Sequence, residues 1–139
     1  MKIALVYYSG TGNTEAMANA IEDELKGKAD VDIINPAVFG PGDISAYDAF
    51  AFGCPAMGSE VLEEDVFEPM FASIEGLLSG KKILLFGSYG WGDGEWMRNW
   101  EERCLADGAI LTSAPVTANE APDDEAIEAL KKAADSLIA

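Results

Sequence analysis

Histidine is absent from this 139-residue chain, cysteine occurs twice, and Lys plus Arg number only 9 against 25 Asp plus Glu. Without imidazole there is no Ser-His-Asp or Cys-His chemistry and no histidine-ligated metal. Cys54 and Cys104 lack C-x-x-C spacing, so buried thiols are the expectation rather than a metal or redox pair. The net charge of −16 repels nucleic acid and anionic membrane surfaces and favours partners with a basic face. Long apolar runs are missing too. The longest nearly apolar stretch, residues 49–58, contains Gly and Pro and falls well short of the roughly 20 residues a bilayer requires. One Lys, six mostly apolar residues and then a polar loop make a poor secretory signal, so a cytoplasmic protein is expected. No repeat, composition shift or low-complexity tract divides the chain, and one domain over residues 1–139 is expected.

What is present is a regular alternation of two periodicities. Residues 3–8 form an apolar run too continuous for a half-exposed strand, which suits a strand covered on both faces. Met17, Ala18, Ile21 and Leu25 then follow helical spacing, with Gly27 as terminator. Residues 31–34 read as a second strand closed by Pro36 and the Gly40-Pro41-Gly42 turn, and residues 49–54 as a third. Phe67, Met70, Phe71, Ile74, Leu77 and Leu78 make a helical stripe whose Pro69 demands either a start near Glu68 or a kink. Residues 82–88 supply a fourth strand, and Trp96, Trp100 and Cys104 stripe the next helix. Residues 109–111 with Val116 make a broken fifth strand, and Ile127, Leu130, Ala134 and Leu137 line the last helix. The order βαβαβαβαβα implies an α/β protein with a parallel sheet and helices on both faces. Ligands of such sheets sit beyond the carboxyl ends of the strands.

Three loops occupy those positions. After the first strand comes Ser9-Gly10-Thr11-Gly12-Asn13-Thr14, with hydroxyls, an amide and glycines but no cation. A strand, a tight loop and a helix together aim backbone N–H groups and the positive end of the helix dipole at one point, which suits a phosphate. Position 15 is Glu where the dinucleotide fingerprint has Gly, and the Lys of a nucleoside-triphosphate loop is missing. The alternative is a glycine-rich turn whose Ser, Thr and Asn only cap the helix. The loop Pro55-Ala56-Met57-Gly58-Ser59-Glu60 follows the third strand, and Tyr89-Gly90-Trp91-Gly92-Asp93-Gly94 follows Ser88 at the end of the fourth. Each combines a large polarizable or aromatic side chain with glycines that permit close approach to a flat ring. Trp91 either stacks on such a ring or folds back onto the core. Glu60, Glu63, Glu64, Asp65, Asp93 and Glu95 crowd these loops with negative charge.

With S-G-T-G-N-T after the first strand, C-P-A-M-G-S-E after the third and F-G-S-Y-G-W-G-D-G-E-W after the fourth, the whole chain resembles the short-chain bacterial flavodoxins. The resemblance implies a flavodoxin-like three-layer sandwich with a five-stranded parallel sheet of order 2-1-3-4-5. It implies non-covalent FMN and an electron-transfer protein rather than an enzyme, shuttling between neutral semiquinone and hydroquinone at low potential in place of ferredoxin. Ser9, Gly10, Thr11, Gly12, Asn13 and Thr14 match phosphate-binding positions. Met57 and Trp91 match the residues that sandwich the ring, Glu60 the acceptor for its N3–H, and Ser88 a polar position near the phosphate and ribityl chain. Pro55, Ala56, Gly58, Ser59, Tyr89, Gly90, Gly92 and Asp93 complete the expected cofactor-binding set. Tyr8 departs from the Trp that close relatives often carry there. Expected partners are basic-faced redox proteins, such as ferredoxin-type oxidoreductases, in transient complexes with a monomer. No catalytic residue, metal, nucleic acid or membrane enters this reading. The competing reading is a small FMN-dependent quinone or NAD(P)H reductase on the same fold, which ordinarily adds insertions this length has no room for. A phospho-receiver domain would need carboxylates where Tyr8 and Cys54 stand. A cysteine phosphatase would need Arg six residues after its nucleophile, where Glu60 and Ile110 stand.

Overall fold

The computed structural model describes all residues, Met1–Ala139. Strand β1, Lys2–Tyr7, buries Ile3 and Leu5 in one layer and Ala4 and Val6 in the other, as the strict two-residue period of a doubly covered strand requires. Helix α1, Asn13–Leu25, presents Met17, Ala18, Ile21 and Leu25 to the first of these layers, and Gly27 after it takes the left-handed φ of 80°. Strand β2 is Asp30–Ile34, β3 is Ala49–Gly53, β4 is Lys82–Tyr89, β5 is Ile110–Leu111 and β6 is Val116–Asn119. Helices α2, Phe67–Ile74, and α3, Glu95–Ala106, cover one face of the sheet, while α1 and α4, Asp124–Leu137, cover the other.

Every strand pair is parallel and the order is β2-β1-β3-β4-β5, with β6 continuing the β5 row against β4. The expected sheet order therefore holds, and the fifth strand is broken in two. Pro115, which has no N–H for a ladder, stands directly before β6 and accounts for the break. One expectation fails: no α-helix joins β2 to β3. Two 3-10 turns, Pro36–Val38 and Pro41–Ala46, take its place, because Pro36, Gly40, Pro41 and Gly42 interrupt any longer helical hydrogen-bond run. Phe39 and Ile44, each 4% exposed, still close the core on that side. Pro69 sits third in α2, inside the first turn, where its missing N–H costs no intrahelical bond.

Layer contacts are aromatic and charged. Trp100 meets Phe67 edge-on at 5.4 Å and Phe71 at 5.7 Å. Arg103 on α3 donates to Glu68 at 2.7 and 2.8 Å and to Glu75 at 3.0 Å, with its guanidinium 5.0 Å above the Phe71 ring. These contacts fasten α2 to α3 behind the sheet. No helix is long and apolar enough to cross a membrane.

Just beyond the last paired residues of β3 and β4, a Cβ on Gly87 would overlap the Cys54 carbonyl oxygen and press on the Trp96 ring. The obstructing atom is backbone and cannot swing aside. Gly87→Ala is therefore expected to destabilise the protein by about 1–3 kcal/mol or more, read as a lower urea midpoint at unchanged slope.

Candidate functional site

The carboxyl ends of β1, β3, β4 and β6 share one edge of the sheet, which brings together the loops singled out above and one that was not. In the first loop, Ser9 Oγ accepts from the N–H groups of Gly12 and Glu15, both at 3.2 Å. Ser9 thus does cap α1, as the alternative reading had it. The cap uses only part of the available donors: the N–H groups of Gly10, Thr11, Asn13 and Thr14 have no partner in the protein. Gly12 makes this possible by taking φ 94° at the helix N-cap, a conformation that turns the amides outward at little cost only in glycine. Four free amides at the positive end of a 13-residue helix, with no protein anion opposite, are the donor set that a phosphate fits. Thr11 is exposed and Asn13 half-buried beside them. The Thr14 and Ser88 hydroxyls face inward, 3.3 Å apart and both buried, so this pair ties α1 to β4.

The second loop is a small hairpin. Met57 and Val61 exchange backbone hydrogen bonds at 2.9 and 3.1 Å, Gly58 takes φ 46° and Glu60 takes φ 56°. A glutamate in the left-handed region costs on the order of 1 kcal/mol, so the surroundings must hold it there. They do: Glu60 Oε1 accepts from the Gly94 N–H at 3.1 Å, and the carboxylate lies against Gly92, where any side chain would collide with it. Glu60 thereby fastens the second loop to the third and keeps its other oxygen unpaired. Pro55 and Ala56 form the half-buried start of the loop, with the Ala56 N–H on Ser88 O at 3.0 Å, while Gly58 and Ser59 are exposed.

In the third loop Gly92 and Gly94 take φ 87° and 91°, and Trp91 is 67% exposed. Trp91 does not fold back onto the core. An indole left this bare, on the same sheet edge as Met57, itself 36% exposed, supplies with it an aromatic and a thioether surface for a flat ring. Tyr89 packs inward on Trp96 at 5.7 Å, and Gly90 is exposed. The residues present therefore fit a mononucleotide with one terminal phosphate and an aromatic ring, as FMN has. No group of three or more Cys, Asp or Glu side chains is placed to hold a metal ion.

The fourth loop was missed. Asn119 pairs with Tyr89, which carries the next residue, Glu120, to the same edge; its N–H donates to Tyr89 O at 2.8 Å and its carboxylate sits over Gly90. Reading the fifth strand only as far as Val116 hid this. The signal available was the alternation Val116-Thr117-Ala118-Asn119, which extends the strand to the binding edge.

The acids expected to crowd the rim divide into different jobs. Glu63 is 5% exposed and its carboxylate accepts from the N–H groups of Asp65, Val66 and Phe67, each at 2.8 Å. It caps α2 and is not a rim charge. Asp93 pairs with Arg98 at 3.0 Å. Glu60 and Glu120 make no ion pair and stand against the glycines of the third loop; Glu64, Asp65 and Glu95 make none either, and Arg98 is close enough to act on Glu60 and Glu95. Both cysteines are fully buried, and burial pushes each thiol up to about 12, which leaves them inert.

A family model described as Flavodoxin matches residues 5–133. The flavodoxin of Megasphaera elsdenii is 48% identical over 123 residues, covering 88% of this chain and 89% of the relative. That of Clostridium beijerinckii is 46% identical over 121 residues, covering 86% and 88%. The solution structure of two-electron reduced M. elsdenii flavodoxin superposes with a TM-score of 0.85 at 46% identity, over 96% of this chain and 98% of that one. Oxidised flavodoxin 1 from Bacillus cereus, at 21% identity and a TM-score of 0.86, shares the fold.

Glu63 generates a pH-dependent expectation. Burial pushes its carboxyl up, but three backbone N–H donors outweigh burial and hold it below the usual carboxylate range. A lowered folded value means the stabilisation is present above the unfolded value of about 4.3 and is lost as pH falls through the folded one. Glu63→Gln is expected to cost about 1–2 kcal/mol at neutral pH in urea unfolding. The difference from wild type should shrink below about pH 4.

Proposed function

The chain belongs to the flavodoxin family, and from that premise we propose how its residues serve an electron carrier built on non-covalent FMN. When bound, FMN supplies transfer of one electron at a time; the protein decides how tightly each of its forms is held. The amides of Gly10, Thr11, Asn13 and Thr14 hold the phosphate, with the Thr11 hydroxyl and the Asn13 amide beside them. Met57 and Trp91 cover the two faces of the ring, and the free oxygen of Glu60 accepts from its N3–H. The observation that carries this reading is the pairing of four partnerless amides at the start of α1 with a bare Trp91 on the same sheet edge.

Gly58 supplies the adjustable part. A Cβ there would meet nothing within 4 Å, and φ is already positive at 46°, so the Gly58–Ser59 peptide is free to present its carbonyl to a protonated ring nitrogen or turn it away. Glu60 and Glu120 act on the second electron. Their charges oppose additional negative charge on the ring, and the helix-end amides that hold the phosphate are accompanied by no Lys or Arg in residues 8–14 to offset them. The carrier is accordingly a low-potential one. Arg98 pairs with Asp93 and acts on Glu60 and Glu95 as well, which tempers the negative charge on that side of the rim.

The same unpaired acids, in a chain of net charge −16, steer basic-faced redox proteins of the kind that use ferredoxin into brief encounters with the exposed edge beside Met57 and Trp91. The protein works as a cytoplasmic monomer in a single domain. An enzymatic reading has less support, because the flavodoxins of Megasphaera elsdenii and Clostridium beijerinckii match this chain over 88% and 86% of its length.

Adding FMN to the apoprotein should quench flavin fluorescence at one-to-one stoichiometry, and a polypeptide that leaves the fluorescence unchanged ends this reading. Gly58→Ala should narrow the gap between the two one-electron potentials, because a side chain at positive φ costs about 1 kcal/mol and restrains the peptide. The double replacement of Glu60 and Glu120 by Gln should raise the second potential by on the order of tens of millivolts, an effect that salt diminishes. Potentiometry with redox dyes reads both.

A further inference from the structure

Where the parallel pairing of β3 with β4 runs out, one rung of the ladder is missing. The Cys54 N–H donates to Phe86 O at 3.1 Å and the Ala56 N–H to Ser88 O at 3.0 Å. In an unbroken parallel ladder the Cys54 carbonyl, between them, would accept from the Ser88 N–H. It accepts instead from the indole Nε1–H of Trp96 at 3.0 Å, and the Ser88 N–H turns to the Thr14 hydroxyl at 3.4 Å. Two buried side chains, one from α1 and one from α3, have replaced a backbone bond.

Trp96 is well placed to influence the site. It is 2% exposed, lies two residues after Gly94 at the end of the Trp91 loop, and packs on Tyr89 at its start at 5.7 Å. The carbonyl it holds belongs to the residue from which the loop of Met57 and Glu60 springs. Cys54 also anchors the far end of that loop, since its Sγ accepts from the Glu63 N–H at 3.3 Å and donates to Pro55 O at 3.5 Å. Gly87 leaves the space the indole occupies: its missing Cβ would stand 3.2 Å from Trp96 Cζ2.

We propose that Trp96 is a positioning residue that couples the two ring-holding loops: by holding the Cys54 carbonyl out of the ladder it sets the height of the 55–60 loop, and of the Gly58–Ser59 peptide in it, relative to Trp91. Without the indole N–H, the carbonyl is free to take the Ser88 N–H, which re-forms the rung, leaves Thr14 with only the Ser88 hydroxyl and draws the loop base toward β4. The proposal rests on the FMN reading given above.

Trp100 provides the internal control. It lies one turn further along α3, is 1% exposed, and its indole N–H has no partner. Trp96→Phe and Trp100→Phe each delete one indole N–H from the same buried helix face, but only the first breaks a hydrogen bond. In the FMN titration, Trp96→Phe should weaken binding about five- to tenfold, the equivalent of one buried hydrogen bond, while Trp100→Phe leaves it unchanged. Trp96→Phe should also shift the spacing of the two one-electron potentials, and Trp100→Phe should not. Equal effects of the two variants, or a Trp96→Phe protein that only melts earlier with affinity and potentials intact, overturns the proposal. Should Trp96→Phe fail to fold, hydrogen exchange in the wild-type protein decides: FMN should slow exchange of the Trp96 indole N–H several-fold and leave that of Trp100 as it was. An equal response of the two indoles, or none, overturns it. Failure of the wild type to take up FMN sinks the cofactor reading and this one together, whereas normal uptake with an inert Trp96→Phe sinks this one alone.

Discussion

The close approach of two strand ends, at Cys54 on one and Gly87 on the other, is the contact on which the whole carboxyl edge depends. A glycine there admits a neighbouring carbonyl and an indole into space that any side chain would fill. From that point the chain opens on one side into the loop of Met57 and Glu60 and on the other into the loop of Trp91. Both loops begin from backbone that is hydrogen-bonded and buried, and both become exposed within a few residues. A buried, hydrogen-bonded base is what a binding edge needs if the residues at its exposed tip are to be held in place.

Acidity in this protein is an allocation problem. Of the carboxylates near the edge, Glu63 is folded inward as a helix cap and Asp93 answers Arg98, while behind the sheet Glu68 and Glu75 grip Arg103. Each does structural work, and each is thereby withdrawn from the field that a ligand or partner would experience. Glu60 and Glu120 stay outside these pairs, and the two share an unusual left-handed backbone, at φ 56° and 59°. Strain held at both positions aims both carboxylates at the glycines of the third loop. A net charge of −16 is thus a poor guide to the site, and the pairing pattern a better one.

The fold was readable because local chemistry and tertiary packing agree. Continuous apolar runs at residues 3–6 and 49–52 can be satisfied only by strands covered on two faces, and helical stripes such as Met17, Ala18, Ile21 and Leu25 supply the cover. Disagreement arose where proline and glycine weaken the local signal. The link between β2 and β3 keeps its core contacts through Phe39 and Ile44 without forming a helix, and the fifth strand resumes after Pro115 to deliver Glu120. The glycine-rich loops were visible because they need particular residues at adjacent positions, a pattern that survives in one dimension.

The amino-acid order alone determined the alternation of strands and helices, the three glycine-bearing loops and the absence of imidazole chemistry, since each of these is set by neighbours within a few positions. Tertiary structure decided the rest. That the Glu60 carboxylate is held by the third loop, that Asn119 pairs with Tyr89 and so brings Glu120 to the edge, and that the Cys54 carbonyl meets Trp96 rather than Ser88, all depend on groups separated by tens of residues. Burial and hydrogen-bond competition between such distant groups is settled only when the layers close, because a donor or carboxylate is spent or spared according to what the fold places within about 3 Å of it.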